Sequence, residues 1–202
     1  MLSIKCFKIP VRLSYPAVVL FTLSVIISGK DSMICLCLFC SVFHELGHLF
    51  LICRFCGKPR GISVNLGDIA IESDTTCLSK SGELLIDIAG PISNFLLSLL
   101  TILLYYFSNA PILLNLCLCS LFIGLFNLLP LKSLDGGNIL YNILTNKFTL
   151  KTADTILDII SVIFIIPFLV GGFLILFISK YNYSLLLIAI YLILLISNKE
   201  MR

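Results

Sequence analysis

The sequence predicts an all-α polytopic membrane protein, and two observations lead to this fold class. Of the 202 residues, 59% are hydrophobic and only 12% are charged, and the mean hydropathy is +1.10. A soluble domain needs a charged surface, so these values favour a chain that lies in a lipid bilayer. The second observation is a series of long apolar runs separated by short polar segments.

Apolar runs of about 17 to 25 residues are long enough to cross the hydrocarbon core as helices, and the chain offers about six of them. They lie near residues 13–29, 33–53, 84–107, 112–129, 156–178 and 181–197. We expect them to form one membrane-embedded domain over residues 1–202, with a core over about residues 33–148. No PDZ domain and no nucleotide-sensing domain is apparent in the sequence.

The positions of the basic residues predict the topology. Suppose that the N-terminus lies in the cytosol and that the chain crosses the membrane six times. Of the 14 lysines and arginines, only Lys30 and Lys180 then lie on the side of the membrane away from the cytosol. This asymmetry over short loops is the positive-inside pattern. We therefore expect a multi-pass protein of the cell membrane with both termini in the cytoplasm, and no nucleic-acid partner.

A short β-hairpin is expected after the second span. Apolar and polar residues alternate between Ile62 and Glu72 on both sides of Gly67-Asp68, a period that is typical of strands. Two further breaks in the helical pattern are expected. Gly90-Pro91 should interrupt the third span, because proline removes a backbone donor. Asp135-Gly136-Gly137 should begin a short helix that runs to about Phe148.

The second predicted span contains the sequence His44-Glu45-Leu46-Gly47-His48. A spacing of four places both imidazoles on one face of a helix, where they can share one Zn²⁺ ion. Glu45 lies in an adjacent sector, which suits a general base acting on water. An ionisable group at the centre of a span costs roughly 2.5 to 3.5 kcal/mol on insertion scales, so a metal or a polar cavity is a better explanation than chance.

A catalytic zinc usually has three protein ligands, so another segment must supply a third donor at the same depth. Asp135, at the cytosolic end of the fourth span, is the best candidate, although it could equally cap the helix that begins at Gly136. Asn94 in the third span lies at a depth similar to that of His44, and Asn127, near the cytosolic end of the fourth span, can approach the same side. Both could hydrogen-bond between helices or take part in catalysis. The nine cysteines are interpreted as small apolar packing residues without disulfides, and Cys53-Arg-Phe-Cys56 as helix-end packing rather than half of a zinc site.

Three motifs follow one another on three successive predicted spans, and together they resemble the site-2 protease family of intramembrane zinc metalloproteases (peptidase M50-like). They are His44-Glu45-Leu46-Gly47-His48, Gly90-Pro91-Ile92-Ser93-Asn94 and Asn127-Leu128-Leu129-Pro130-Leu131-Lys132-Ser133-Leu134-Asp135-Gly136. The resemblance covers roughly residues 33–148. It implies that Asp135 is the third zinc ligand, that Glu45 activates the water, and that Asn94 and Asn127 hold the substrate or the developing oxyanion.

The resemblance also implies an activity: hydrolysis of a peptide bond in or near the transmembrane segment of a membrane-tethered regulatory protein. The chain looks like the compact, sporulation-type bacterial members, so a sigma-factor precursor is one expected substrate and an anti-sigma factor is another. The partners expected are a membrane-protein substrate and the lipid bilayer, and they could include a membrane regulatory partner. The alternating segment after the second span could offer an edge strand to an unwound substrate.

Two other functions remain open at this point. A metal carrier would bind zinc without proteolysis, but transport pathways commonly distribute ionisable residues through successive spans, whereas here they cluster around one site. A helix-binding scaffold would have no need of Glu45. Other divalent ions could also occupy a site made of two histidines and one carboxylate.

Overall fold

The computed structural model of the protein describes residues 2–6, 9–15, 18–19, 22, 32–64, 69–72, 78–179 and 183–199. Within these ranges the chain is mainly helical with one small sheet, and the predicted fold class is confirmed. The chain divides into two compact units, Met1–Phe126 and Asn127–Arg202. The expectation of a single functional domain over residues 1–202 stays a prediction.

Ten elements are described in the two units. The first unit holds strands β1 (Leu2–Cys6), β2 (Ile9–Leu13), β3 (Gly61–Val64) and β4 (Ile69–Glu72), and helices α1 (Ser32–Phe55), α2 (Lys80–Ser108) and α3 (Pro111–Asn127). The second unit holds helices α4 (Asp135–Leu144), α5 (Leu150–Ser179) and α6 (Ser184–Lys199).

Three of these helices, α1, α2 and α5, are long and apolar enough to cross a membrane. Helix α3 and residues Ser184–Leu194 of α6 are shorter apolar helices. Large apolar side chains such as Phe50, Phe107 and Ile178 stand exposed on these helices, as expected where lipid rather than water surrounds them. The first expected span, residues 13–29, lies largely outside the described residues, so the count of six stays a prediction.

The four strands form one sheet in the order β1-β2-β3-β4. The antiparallel pair β3–β4 confirms the expected hairpin, although Gly67-Asp68 at its turn lies outside the described residues. Strands β1 and β2 were not expected, because Lys5 and Arg12 were interpreted only as charges that flank a span. Strand β2 pairs with β3 in parallel, with Val11 opposite Ile62, and so joins the N-terminal hairpin to the later one.

Helix α2 continues unbroken through Pro91, so the expected interruption at Gly90-Pro91 is wrong. A proline inside a helix removes one backbone hydrogen bond, a loss that helices in membranes often tolerate. The helix begins at a side-chain cap, in which Ser79 Oγ accepts a hydrogen bond from the Gly82 amide at 3.2 Å. It ends at Asn109, whose left-handed backbone (φ 52°) closes the last turn.

Helix α4 confirms the short helix expected at Asp135-Gly136-Gly137. It ends at Leu144, earlier than expected, and the chain continues in turns to Phe148, whose amide donates to Leu144 O at 2.9 Å. The N-cap position is Leu134, which has an extended backbone and no side-chain cap. The alternative that Asp135 caps this helix is therefore wrong, because Asp135 is its first residue.

Candidate metal centre

The two histidines of the chain project from the middle of α1 towards one point. Their Nε2 atoms are 3.2 Å apart, and their rings meet edge to face with centroids 4.9 Å apart. Two nitrogens bound to one zinc at about 2.0–2.1 Å in a tetrahedral arrangement lie about 3.3 Å apart. The spacing of His44 and His48 therefore fits two ligands of one ion.

Two glycines allow the histidines to lie directly against α2. A Cβ atom at Gly90 would overlap the imidazole of His48 and lie 2.6 Å from His44 Nε2. A Cβ atom at Gly47, between the histidines on α1, would lie 2.6 Å from Ala89 O. Close helix contact through small residues is the usual packing mode in membranes. Gly90 thus serves to admit the imidazoles rather than to break the helix.

His48 is oriented by a hydrogen bond of its Nδ1 atom, the ring nitrogen that does not face His44. This Nδ1 atom lies 2.8 Å from Ile86 O on α2, and a carbonyl oxygen can only accept. Nδ1 must therefore carry the proton, which leaves a lone pair on Nε2 for a metal. This contact fixes the ligating atom of His48 before any ion binds.

Asn94 makes the corresponding contact with His44. The side chain is fully buried, and its amide nitrogen lies 3.2 Å from His44 Nδ1. Ligation through His44 Nε2 requires Nδ1 to donate, so the amide must then present its oxygen to the ring. Ser120 on α3 donates to the backbone carbonyl of Asn94 at 2.8 Å. The interhelical hydrogen bond that was one interpretation of Asn94 is present, and a role towards substrate stays a prediction.

Glu45 follows His44 directly on α1, and its side chain is half-buried. Asn127 is the last residue of α3 and is also half-buried, directly before the segment that leads to Asp135. Its predicted role in holding the substrate or the oxyanion stays a prediction.

In the second unit, a tight turn precedes Asp135. The Leu134 amide donates to Leu131 O at 2.9 Å, and the Asn138 amide donates to Leu134 O at 3.2 Å. Cβ atoms at Gly136 and Gly137 would overlap the backbone at Leu128 and Leu131. Only glycine permits this approach, so the sequence Asp135-Gly136-Gly137 is needed to fold the turn against the start of α4.

Helix α5 anchors the same turn. The Lys132 amide donates to Ser161 Oγ at 3.0 Å, and Lys132 Nζ forms an ion pair with Asp158 at 2.8 Å. The neighbouring Leu131 is fully buried. No motif in the sequence indicates this anchor, because a loop and a helix separate its partners along the chain.

His44 and His48 offer two imidazole nitrogens in the first unit, and Asp135 offers a carboxylate in the second unit. The sequence analysis predicted these three side chains as the ligands of one metal ion, and this ligand set stays a prediction. Cys53 and Cys56 are free thiols and belong to no cluster of possible metal ligands in the described part of the chain. The donor set of two imidazoles and one carboxylate suits Zn²⁺ and leaves a position for water.

We expect Asn94→Leu to lower the affinity for zinc about 10- to 100-fold, because His44 would lose the partner that orients its ring. Competition with a chromophoric zinc chelator on the purified protein measures this change. Thr101→Val is the matched control, since it also removes a buried polar group of α2 but one that bonds to the carbonyls of Leu97 and Ser98 on its own helix. Equal zinc affinities for wild type and Asn94→Leu would contradict this role.

Breaking the anchor of the Asp135 turn should also lower zinc affinity. Asp158→Asn and Lys132→Met should each weaken binding several-fold, and the double variant should be no worse than either, with a coupling of about 0.5–1 kcal/mol for a partly exposed pair. Asp154→Asn, one turn earlier on α5, is the control. Additive effects of the two substitutions on zinc affinity would show that the ion pair does not hold the turn.

Comparisons with known proteins bear on this site. The sequence model of peptidase family M50 matches residues 110–170, which include the turn before Asp135. A zinc metalloprotease of Methanocaldococcus jannaschii is 34% identical over 113 residues, which are 53% of this chain. The chain spans about a third of that relative's length, 32%.

A solved structure, a site-2 protease from Methanocaldococcus jannaschii, matches almost the whole chain. The match covers 98% of this chain and 94% of the other, with a TM-score of 0.70 and 26% sequence identity. The likeness therefore extends over the first-unit helices that carry His44 and His48 and over the second unit that carries Asp135. These matches show what the chain is similar to: over part of its length to peptidase family M50 and to a zinc metalloprotease, and in fold to a site-2 protease.

Proposed function

We propose that this protein is an intramembrane zinc metalloendopeptidase that hydrolyses a peptide bond in or near the transmembrane segment of a membrane-tethered protein. The observation that carries the proposal is the pair of imidazoles, His44 and His48, whose Nε2 atoms are 3.2 Å apart on α1, with Glu45 adjacent in the chain. Asp135 is proposed as the third ligand. The relatives support the proposed activity, since one is named a zinc metalloprotease and the other a site-2 protease.

The chemistry follows from the donor set. A zinc ion would supply a Lewis acid that acidifies water and polarises the scissile carbonyl. Glu45 accepts the proton of the attacking water and delivers it to the leaving amine. The contacts of His48 with Ile86 and of His44 with Asn94 hold the two imidazoles in the orientation that this reaction needs. Asn127 would donate from its amide to the carbonyl oxygen of the substrate.

The substrate is proposed from the resemblance to the compact, sporulation-type members of the family. It would be a membrane-tethered regulator such as a sigma-factor precursor or an anti-sigma factor, and a membrane regulatory partner could control access to it. The proposed topology places both termini in the cytoplasm, following the distribution of basic residues.

The sheet offers a way to hold an unwound substrate. Strand β4 stands at one edge, since β3 pairs with β2 on one side and with β4 on the other. An edge strand presents backbone donors and acceptors to which an extended peptide can add. A helical substrate must unwind to expose the bond to be cut, and strand addition at β4 would stabilise the unwound form.

Replacing the proposed base should separate metal binding from catalysis. We expect Glu45→Gln to keep its zinc and to lose cleavage of a co-expressed, tagged membrane substrate by at least about 10²-fold, in line with loss of acid–base catalysis. Asp135→Ala should lose both zinc and cleavage, because a ligand is removed. Immunoblots of the substrate and zinc analysis of each purified protein measure the two effects.

The outcomes of this experiment distinguish the protease from the two other candidate functions. Cleavage by Glu45→Gln at the wild-type rate would remove Glu45 as the base and end the proposed mechanism. Zinc binding by the wild type without cleavage of any candidate substrate would favour a metal carrier or a helix-binding scaffold. The chain offers Asp154→Ala as a control for loss of a carboxylate at another place in the second unit.

Proline substitutions in β4 test strand addition. Successive amides of a strand point to opposite sides, so of Ala70→Pro and Ile71→Pro one removes an amide that faces β3 and the other an amide on the open edge. The edge substitution should keep zinc content and thermal stability while lowering cleavage at least about tenfold. Val64→Pro is less informative, since Val64 pairs with both neighbouring strands. Unchanged cleavage in both β4 variants would rule out strand addition.

A further inference from the structure

Three sulfur atoms lie together in the first unit, apart from the histidines. Cys37 Sγ is 3.7 Å from Cys119 Sγ, and Cys119 Sγ is 4.0 Å from Met33 Sδ. Met33 and Cys37 are four residues apart and therefore share one face of α1, whereas Cys119 comes from α3. Cys37 precedes His44 by two helical turns, about 10 Å along the axis, so this sulfur cluster is separate from the metal centre.

The spacing of the sulfur cluster fits a metal site. Three sulfur ligands placed trigonally around one ion at about 2.3 Å lie about 4 Å from one another. The two measured separations, 3.7 Å and 4.0 Å, are of this size. Thiolate and thioether sulfur are soft ligands that favour Cu(I) among biological metals. We propose that Met33, Cys37 and Cys119 bind one Cu(I) ion.

The exposure of these side chains distinguishes them from packing cysteines. Cys40, one turn from Cys37, is fully buried, and its thiol points to Leu116 O at 4.0 Å, as expected of a small apolar core residue. Cys37 and Met33 are exposed on the helix surface and Cys119 is half-buried, so these three sulfur atoms lie at the outside of the helix pair and not in its packed core. Both thiols are free, and each one that binds the ion releases its proton to water.

The test is a Cu(I) titration of the full-length protein, purified in detergent under reducing conditions and loaded with zinc so that the histidines are already occupied. Bicinchoninate serves as the competing Cu(I) ligand. Wild type should bind one Cu(I) with X-ray absorption showing only sulfur neighbours at about 2.3 Å. Cys37→Ser and Cys119→Ser should each lose at least about tenfold in affinity, and Met33→Leu should lose less, since a neutral thioether is the weaker ligand.

Cys53→Ser, which removes an exposed cysteine at the far end of α1, is the matched control and should bind like wild type. The zinc content of every variant reports whether the helices that hold His44 and His48 are intact, and it is expected to stay at the wild-type value. Failure of the wild type to compete for Cu(I), or wild-type affinity in both Cys37→Ser and Cys119→Ser, would overturn the proposal. Neither readout depends on proteolysis.

Discussion

The close approach of α1 and α2 is the constraint on which the metal centre depends. Gly47 and Gly90 leave no Cβ atom between the two helices, so the imidazoles of His44 and His48 reach the backbone and the buried amide of α2. Lipid can neither orient a polar ring nor satisfy its nitrogen atoms. The hydrogen bonds to Ile86 and Asn94 do both, and they also select the ring nitrogen that would face a metal ion.

The sequence predicted the parts of this arrangement that are encoded locally. His44 and His48 need only a helix to lie on one face, and the hairpin β3–β4 shows itself by alternation. The contacts of Ser120 with Asn94 and of Lys132 with Asp158 join residues that are far apart in sequence, and no sequence pattern predicts them. They depend on how neighbouring helices pack, which the sequence of one segment does not encode.

Two expectations failed for reasons that concern context. Gly90-Pro91 suggested an interruption because both residues disfavour helices in water, but here the glycine admits the histidine rings and the helix absorbs the proline. Strands β1 and β2 were missed because their lysine and arginine residues resembled the charged flank of a span. Their pairing partner β3 lies beyond α1, and a strand is recognised more easily when its partner is close in sequence.

The parallel pairing of β2 with β3 has a consequence for biosynthesis. Residues 14–60, including the whole of α1, separate the two strands, and the ribosome needs roughly 2 to 10 s to add them at about 5–20 residues per second. Throughout that interval the β1–β2 hairpin has an open edge, because strand β3, which pairs with β2, has not yet been synthesised. The sheet can therefore be completed only after α1 has been made. Pairing of β2 with β3 can occur only in a chain that already contains the helix bearing the histidines.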